Sequence, residues 1–330
     1  MRGKTWPFIK DLLLKYNSLL MLILLIIVSS ALSDAFFTWR NATNLLRDLT
    51  PLMLVSLGML LVILTGGIDL SVGSITAVGG MICAVALNAF QLQGVTGLLL
   101  AVLVSLLSGL LLGAVTGSLV SIFRMAPFVA TLAMMTIARG VAYMITNGEP
   151  IRLNISYLPQ KLVNNFGSES IPGIRVPWPI LLGIIAIIAF NLIVKYTVFG
   201  RLTIATGSNE SAVRLAGISV QKYKFLVYCI SGTLAALAGI VIMSRAAIGT
   251  PVFGENLELD AIAACVIGGA NLSGGKGSVI NTLIGVLILG LIGNIMNLMS
   301  VPAYPQQIAK GAIIVVAVLS QRFTNKEASA

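Results

Sequence analysis

Few residues in this chain are able to do chemistry, and those few stand in apolar surroundings. Asp69 and Ser71 lie in Thr65-Gly-Gly-Ile-Asp-Leu-Ser-Val-Gly-Ser74, Arg139 interrupts an apolar run, and Asp260 sits in a short one. Gln306 and Lys310 are four residues apart, which places them on one helix face. Ionisable groups inside apolar helical sequence are costly, so these residues are read as candidates for a solute pathway or gate. Asp69 also has a purely structural reading. Two glycines end one helix, Ser71 and Ser74 are suited to cap the next, and the carboxylate favours its positive end. Arg139 and Asp260 suit a buried pair between helices, and Lys310 equally suits an interfacial position reached by its long stem. Neither a catalytic nor a metal site is predicted. The chain has no histidine, which removes histidine metal sites, Ser-His-Asp triads and histidine proton relays. Cys83, Cys229 and Cys265 are far apart in apolar sequence and read as packing residues.

One segment imitates nucleotide chemistry without supporting it. Gly269-Ala-Asn-Leu-Ser-Gly-Gly-Lys-Gly277 approaches the phosphate-binding pattern G-x-x-x-x-G-K-[ST], but Ala270 replaces the first glycine and Gly277 the final Ser/Thr. Leu272-Ser-Gly-Gly-Lys276 likewise approaches a cassette-ATPase signature, with no room around it for a nucleotide-binding domain. The expectation is a tight turn between helices. Its similarity to Gly66-Gly-Ile-Asp-Leu-Ser71, about 200 residues earlier, suggests an internal repeat.

Composition says which elements must position these residues. Of 330 residues, 57% are hydrophobic and only 10% charged, too few charges to clothe a soluble protein of this size. The chain is therefore expected to be an all-α, polytopic membrane protein. Charge-free runs separate Lys15 from Asp34 and Asp48 from Asp69, and no charge occurs from Leu70 to Phe123. That last run suits two spans joined at Asn88-Gln91-Gln93-Gly94. Further spans are expected from Pro127 to about Thr146, Val176 to Val194, Phe225 to Ser244, between Lys276 and Ser300, and from about Ala303 to Ser320. Leu259–Ala270 is apolar but short, so about ten membrane helices are expected, one of them short or broken. Gly109, Gly113, Gly117 and Ser121 recur every four residues and predict a face where another helix comes close; Gly285, Gly290 and Gly293 are expected to serve similarly.

The net charge of +10 follows from 21 Lys and Arg against 11 Asp and Glu. No basic run with interleaved aromatics supports nucleic-acid binding. Instead, with ten crossings, thirteen basic residues fall in segments on the side of the N-terminus and five on the other. Basic residues favour the cytoplasmic side, which predicts both termini inside. The basic start and Ala31-Leu-Ser33 resemble a cleavable signal, but a retained first helix fits the charge bias. Residues 1–16 are thus a basic cytoplasmic N-terminus, 17–320 a single membrane domain, 147–176 an external loop, 197–224 a cytoplasmic segment and 321–330 a cytoplasmic tail. Within 197–224, Ser208 or Asn209 caps an amphipathic helix, Val213 and Leu215-Ala216 give it an apolar edge, and Gly217 ends it.

Three strings resemble the ribose-type permeases of ABC sugar importers: Leu61 to Ser74, Ala205 to Ile218, and Leu259 to Gly277. Their order and spacing match that family from about Leu19 to Leu319. The resemblance implies a permease architecture similar to the cobalamin-importer type. It implies pairing with a second permease copy or close relative, a cytoplasmic ABC ATPase subunit that holds ATP and Mg, and an extracytoplasmic sugar-binding protein. It also implies that Gly207, Asn209, Glu210, Arg214 and Gly217 belong to the segment that couples to the ATPase. The chain itself is then no enzyme and carries no cofactor; it sits among the lipids of a bacterial inner membrane and passes a monosaccharide such as ribose by alternating access. An ion-coupled secondary transporter of a small polar solute is the alternative, with Asp69, Asp260 and Lys310 as its sparse candidates.

Overall fold

The computed structural model describes residues 17–309, 311–313 and 315. Apolar backbone in a bilayer has no water to bond, so it closes its own hydrogen bonds as helix. Seven helices among the described residues are long and apolar enough to cross a membrane, which makes this a multi-pass, all-α membrane protein.

The chain opens with α1 (Asn17–Leu32) and α2 (Trp39–Leu64). Helix α2 begins about ten residues before the charge-free run. Thr38 caps it by accepting the Asn41 amide, and the charges it takes in find protein partners: Arg47 with Asn44 and Ser168, and Asp48 with Arg245. Helices α3 (Val72–Ala89) and α4 (Gly94–Ser121) follow, joined by a single 3-10 turn at Gln91–Gln93, where the polar patch predicted the break. Helix α5 (Pro127–Met144) starts on proline, whose missing amide costs nothing in a first turn.

Residues 147–176, expected as a plain loop, are built. They contain strand β1 (Ile151–Arg152) and helix α6 (Leu158–Ser168). Pro159, Val163 and Gly167 recur every four residues and are buried, giving α6 an apolar stripe too short to read as a span. Helix α7 (Trp178–Tyr196) crosses next. Segment 197–224, expected to hold one helix, holds two: α8 (Val198–Ser208) and α9 (Glu210–Leu215). Asn209 divides them, because its extended backbone ends α8 while its side chain accepts the Ala212 amide at 2.9 Å and starts α9. Helix α10 (Val220–Ala246) leads into β2 (Ile248–Gly249), which pairs antiparallel with β1. The short apolar segment is α11 (Leu257–Ile267), and α12 (Val279–Leu298) follows. Residues 303–309 and 311–313 are helical.

Helices α2, α3 and α10 form the buried centre, whereas α4, α5 and α7 show large apolar side chains outward, such as Leu99, Leu111, Phe128 and Ile185. Such a surface suits lipid or another membrane chain. The small-residue face of α4 does meet a helix. A Cβ on Gly109 would strike Gly232, one on Gly113 the Tyr228 carbonyl, and one on Gly117 would come within 2.9 Å of the Phe225 carbonyl, all on α10. Gly285 sits likewise against Ala264 and Gly290 against Leu49. For Gly293 no such neighbour stands within 4 Å among the described residues.

Candidate functional site

Three turns that are distant in sequence converge at one end of the molecule. The first is the end of α2, where Gly66 turns the chain with a positive φ of 78°. The second is the turn 271–276, held by Asn271: its side chain accepts the Ser273 amide at 3.0 Å and its carbonyl accepts the Gly274 amide at 2.9 Å. The third is the end of α8 at Gly207-Ser208. Their backbones touch. The Gly275 amide donates to the Leu64 carbonyl at 3.0 Å, satisfying an otherwise open helix end. A Cβ on Gly207 would collide with that same Leu64 carbonyl, and Gly274 lies against both Gly207 and Gly66. Glycine at 207 and 274 is thus required by close approach. In the segment that imitates a phosphate loop, the space over Gly274, Gly275 and Gly277 is filled by other parts of the same chain.

Asp69 locks the start of α3 to α10. The residue is 1% exposed; one carboxylate oxygen accepts the Ser71 amide at 3.0 Å and the Ser71 hydroxyl at 2.5 Å, and the other accepts the Ser231 hydroxyl at 2.9 Å. Ser71 therefore does not cap α3 with its side chain; the hydroxyl is turned back to Asp69. Ser74 makes no hydrogen bond through its hydroxyl, so it caps nothing either. Tyr228, also fully buried, brings its hydroxyl against Gly67, where a Cβ would lie 2.6 Å away.

The paired short helices stand beside this junction. Glu210 bonds Lys224 at 2.6 Å and also pairs with Arg214. The Lys224 hydrogen bond, helped by both cationic charges, holds the Glu210 carboxyl below the usual carboxylate range against a partial burial that acts the other way. Its charge is thus committed inside the segment. What α9 offers outward is apolar: Leu215 is 90% exposed, while Val213, expected on the same edge, is buried. Gly217 follows at φ 77° and turns the chain towards α10.

The opposite ends of α2 and α10, with the start of α11, border a half-open cavity of about 440 Å³. Arg47, Asp48, Arg245 and Asp260 stand around it among apolar side chains, with Asp48 and Arg245 forming an ion pair. Asp48 to Leu64 is sixteen residues of one helix, or roughly 24 Å, so α2 alone runs from cavity to junction.

The residues expected to form a pathway are not gathered in one place. Asp69 and Ser71 lie at the junction, and Asp260 lines the cavity. Arg139 donates to the carbonyls of Pro251 (2.5 Å) and Phe253 (3.0 Å), pinning the loop before α11. Gln306 turns back to Asn297 and the Val301 carbonyl. Lys310 lies outside the described residues, as do 1–16 and 316–330. Sequence reasoning missed Ser231, Asp48, Arg47 and Arg245. Only their neighbourhood to a charge-free run distinguishes the last three, and nothing in the chain announces that positions 48 and 245 meet.

Residues 41–318 match the family described as branched-chain amino acid transport system / permease component. The chain belongs to this permease family. Among curated proteins, the ribose import permease of Escherichia coli K12 is 42% identical over 314 residues, covering 94% of this chain and 95% of that protein. The ribose import permease of Haemophilus influenzae is 40% identical over 325 residues, covering 98% of both chains. An L-arabinose transport permease of Escherichia coli K12 is 34% identical over 325 residues, covering 98% of this chain and 93% of that one. No solved structure matches the chain. The permease family match spans all three converging turns.

Proposed function

We propose that this chain is the permease subunit of an ATP-driven ABC importer in a bacterial inner membrane, and that it carries ribose or a close monosaccharide. The observation that carries this reading is 42% identity to a ribose import permease along nearly the full length of both chains. The three strings that resemble the family meet at one backbone junction, which supports a shared role for them.

In this reading the junction end is cytoplasmic and both termini are inside, in keeping with the thirteen-to-five bias in basic residues. Ten membrane segments, of the cobalamin-importer type, consist of the seven long helices with α1, α11 and the helix beginning at residue 303. Residues 197–224 are the coupling segment. Exposed Leu215 enters a groove on a cytoplasmic ABC ATPase, while Glu210, Arg214 and Lys224 hold α9 in the presenting orientation. Gly207, Asn209 and Gly217 give it its close approach and its two turns. ATP and Mg reside on the ATPase, and the chain carries no cofactor. A second permease copy, or a close relative, covers part of the apolar outer surface and lipid covers the rest. An extracytoplasmic sugar-binding protein docks on the face that includes α6.

The mechanism is alternating access. Movement of the ATPase groove displaces α8 and α9; the junction passes that displacement to the end of α2 and the turn before α12; the long helices then reorient. Ion-coupled transport is less well supported, because Asp69 is held by two serines and Arg139 by two carbonyls. The test is uptake of labelled ribose by cells with and without this gene, with unlabelled arabinose as competitor. Gene-dependent uptake that resists arabinose is the expected result; equal uptake in both strains would refute the assignment.

A further inference from the structure

The cavity at the far ends of α2 and α10 is not explained by packing. Its volume of about 440 Å³ falls within the ~300–1,000 Å³ of small-molecule sites. Its walls are mixed in a particular way. Two guanidinium groups (Arg47, Arg245) and two carboxylates (Asp48, Asp260) face it, together with apolar surface from Pro51, Leu52, Pro179 and Phe253. Four charged side chains gathered around one cavity beside otherwise apolar helices call for a role.

Their signs balance. A net positive site would select an anion and a net negative one a cation. Equal numbers of fixed donors and acceptors suit a neutral molecule whose hydroxyls do both, and the apolar walls suit its C–H faces. Supply of hydrogen-bonding capacity is also on hand. The Asp48–Arg245 pair is nearly half exposed on both sides, so neither group has used up its bonding directions. Arg47 is bonded at its Nη atoms to Ser168 and Asn44, yet its Nε is buried without a partner among the described residues. Pro51 lacks an amide, so the Arg47 carbonyl loses its usual helical donor at the same place.

We infer that this cavity is a transient site for a single neutral monosaccharide, with Asp48 and Arg245 as its principal hydrogen-bonding groups and Arg47 and Asp260 beside them. The inference rests on the sugar-import reading and deepens it, by naming where in the permease the sugar stops. Since α2 and α10 both reach the junction, the site is emptied or formed by the same movement that the coupling segment starts.

The test uses the full-length chain in lipid nanodiscs and saturation-transfer NMR with millimolar ribose. The wild type should show contact with ribose, and Asp48→Asn and Arg245→Gln should each bind roughly tenfold more weakly. Asp48→Asn keeps side-chain size and Arg245→Gln shortens it while removing the charge, and thermal unfolding checks that the fold survives. The charge-swapped chain, Asp48→Arg with Arg245→Asp, separates site from brace. A mere structural brace regains wild-type ribose contact after the swap, whereas a site shaped for the sugar stays impaired. Ribose contact that is absent, indifferent to these changes, restored by the swap, or displaced by inorganic phosphate overturns the inference. Uptake by cells is followed in parallel. Ribose uptake without cavity-dependent contact defeats this inference alone, while absence of ribose uptake defeats the reading it rests on and the ribose site with it.

Discussion

The two ends of α2 are built on opposite principles. At Leu64 the helix meets Gly207 and Gly275 backbone to backbone, with no room for one methyl group. At Asp48 the same helix borders open space lined by charged and apolar side chains. A close-packed contact has few ways to yield, so it passes displacement on; a cavity yields and can admit a solute. On the proposed reading, the difference teaches how one helix can serve coupling at one end and accommodation at the other.

The largest expected effect comes from filling the junction. Gly207→Val forces a branched side chain against the Leu64 carbonyl, and overpacking of this kind costs about 1–3 kcal/mol or more. Folded, membrane-inserted protein should fall about tenfold or more by fluorescence size-exclusion chromatography. Normal yield with normal transport would mean the junction is looser than its geometry.

Next comes the lock behind the junction. Asp69→Ala leaves Ser71 and Ser231 without their shared acceptor, and each buried donor left unsatisfied costs about 1–3 kcal/mol. Ser231→Ala removes one of these bonds and should lower the unfolding temperature by a smaller amount. Equal melting of both variants and wild type would show that the carboxylate does not hold α3 to α10.

A smaller contrast sharpens the role of glycine itself. Gly113→Ala should destabilise, because its methyl would meet the Tyr228 carbonyl, whereas Gly293→Ala meets nothing among the described residues and gains helix propensity of about 1 kcal/mol. Thermal unfolding of the two purified variants should therefore move in opposite directions. The same direction for both would remove the distinction between packed and free glycines.

The smallest effect is at Glu210. Its carboxyl titrates below the ordinary value, so its contribution to stability is present above the unfolded pKa and fades as pH falls through the lower folded one. Because the residue is about one-third exposed, its ion pairs are worth only about 0–1 kcal/mol. Glu210→Gln should lower stability slightly at neutral pH and leave no difference in strong acid. A gap that persists or widens on acidification contradicts the pairing.

Much of the fold was legible because lipid imposes simple rules. Charge-free runs located most of the long helices, Pro127 marked a start, and the four-residue glycine rhythm marked a face that does contact a helix. The exceptions have physical causes. The charges at Arg40, Arg47 and Asp48 disguised the first turns of α2, since Arg47 and Asp48 are compensated in part by Ser168 and Arg245, far along the chain. Helix α6 has a stripe of only three buried residues, too brief to stand out. The site was legible only in part. Asp69, Asn209 and the glycines announce themselves by type and setting, but Ser231 looks like any small residue in an apolar helix. The pairing of Asp48 with Arg245 depends on how α2 and α10 lie side by side, which no local pattern records.

Energy source is the central question, and one measurement addresses it directly. The chain is reconstituted in proteoliposomes with its ATPase and sugar-binding protein, and ribose uptake is measured with ATP supplied on the ATPase side while ionophores abolish all ion gradients. ATP-driven import predicts uptake undiminished by the ionophores and absent when ATP is withheld. Uptake that vanishes with the gradients, yet continues without ATP, would contradict it.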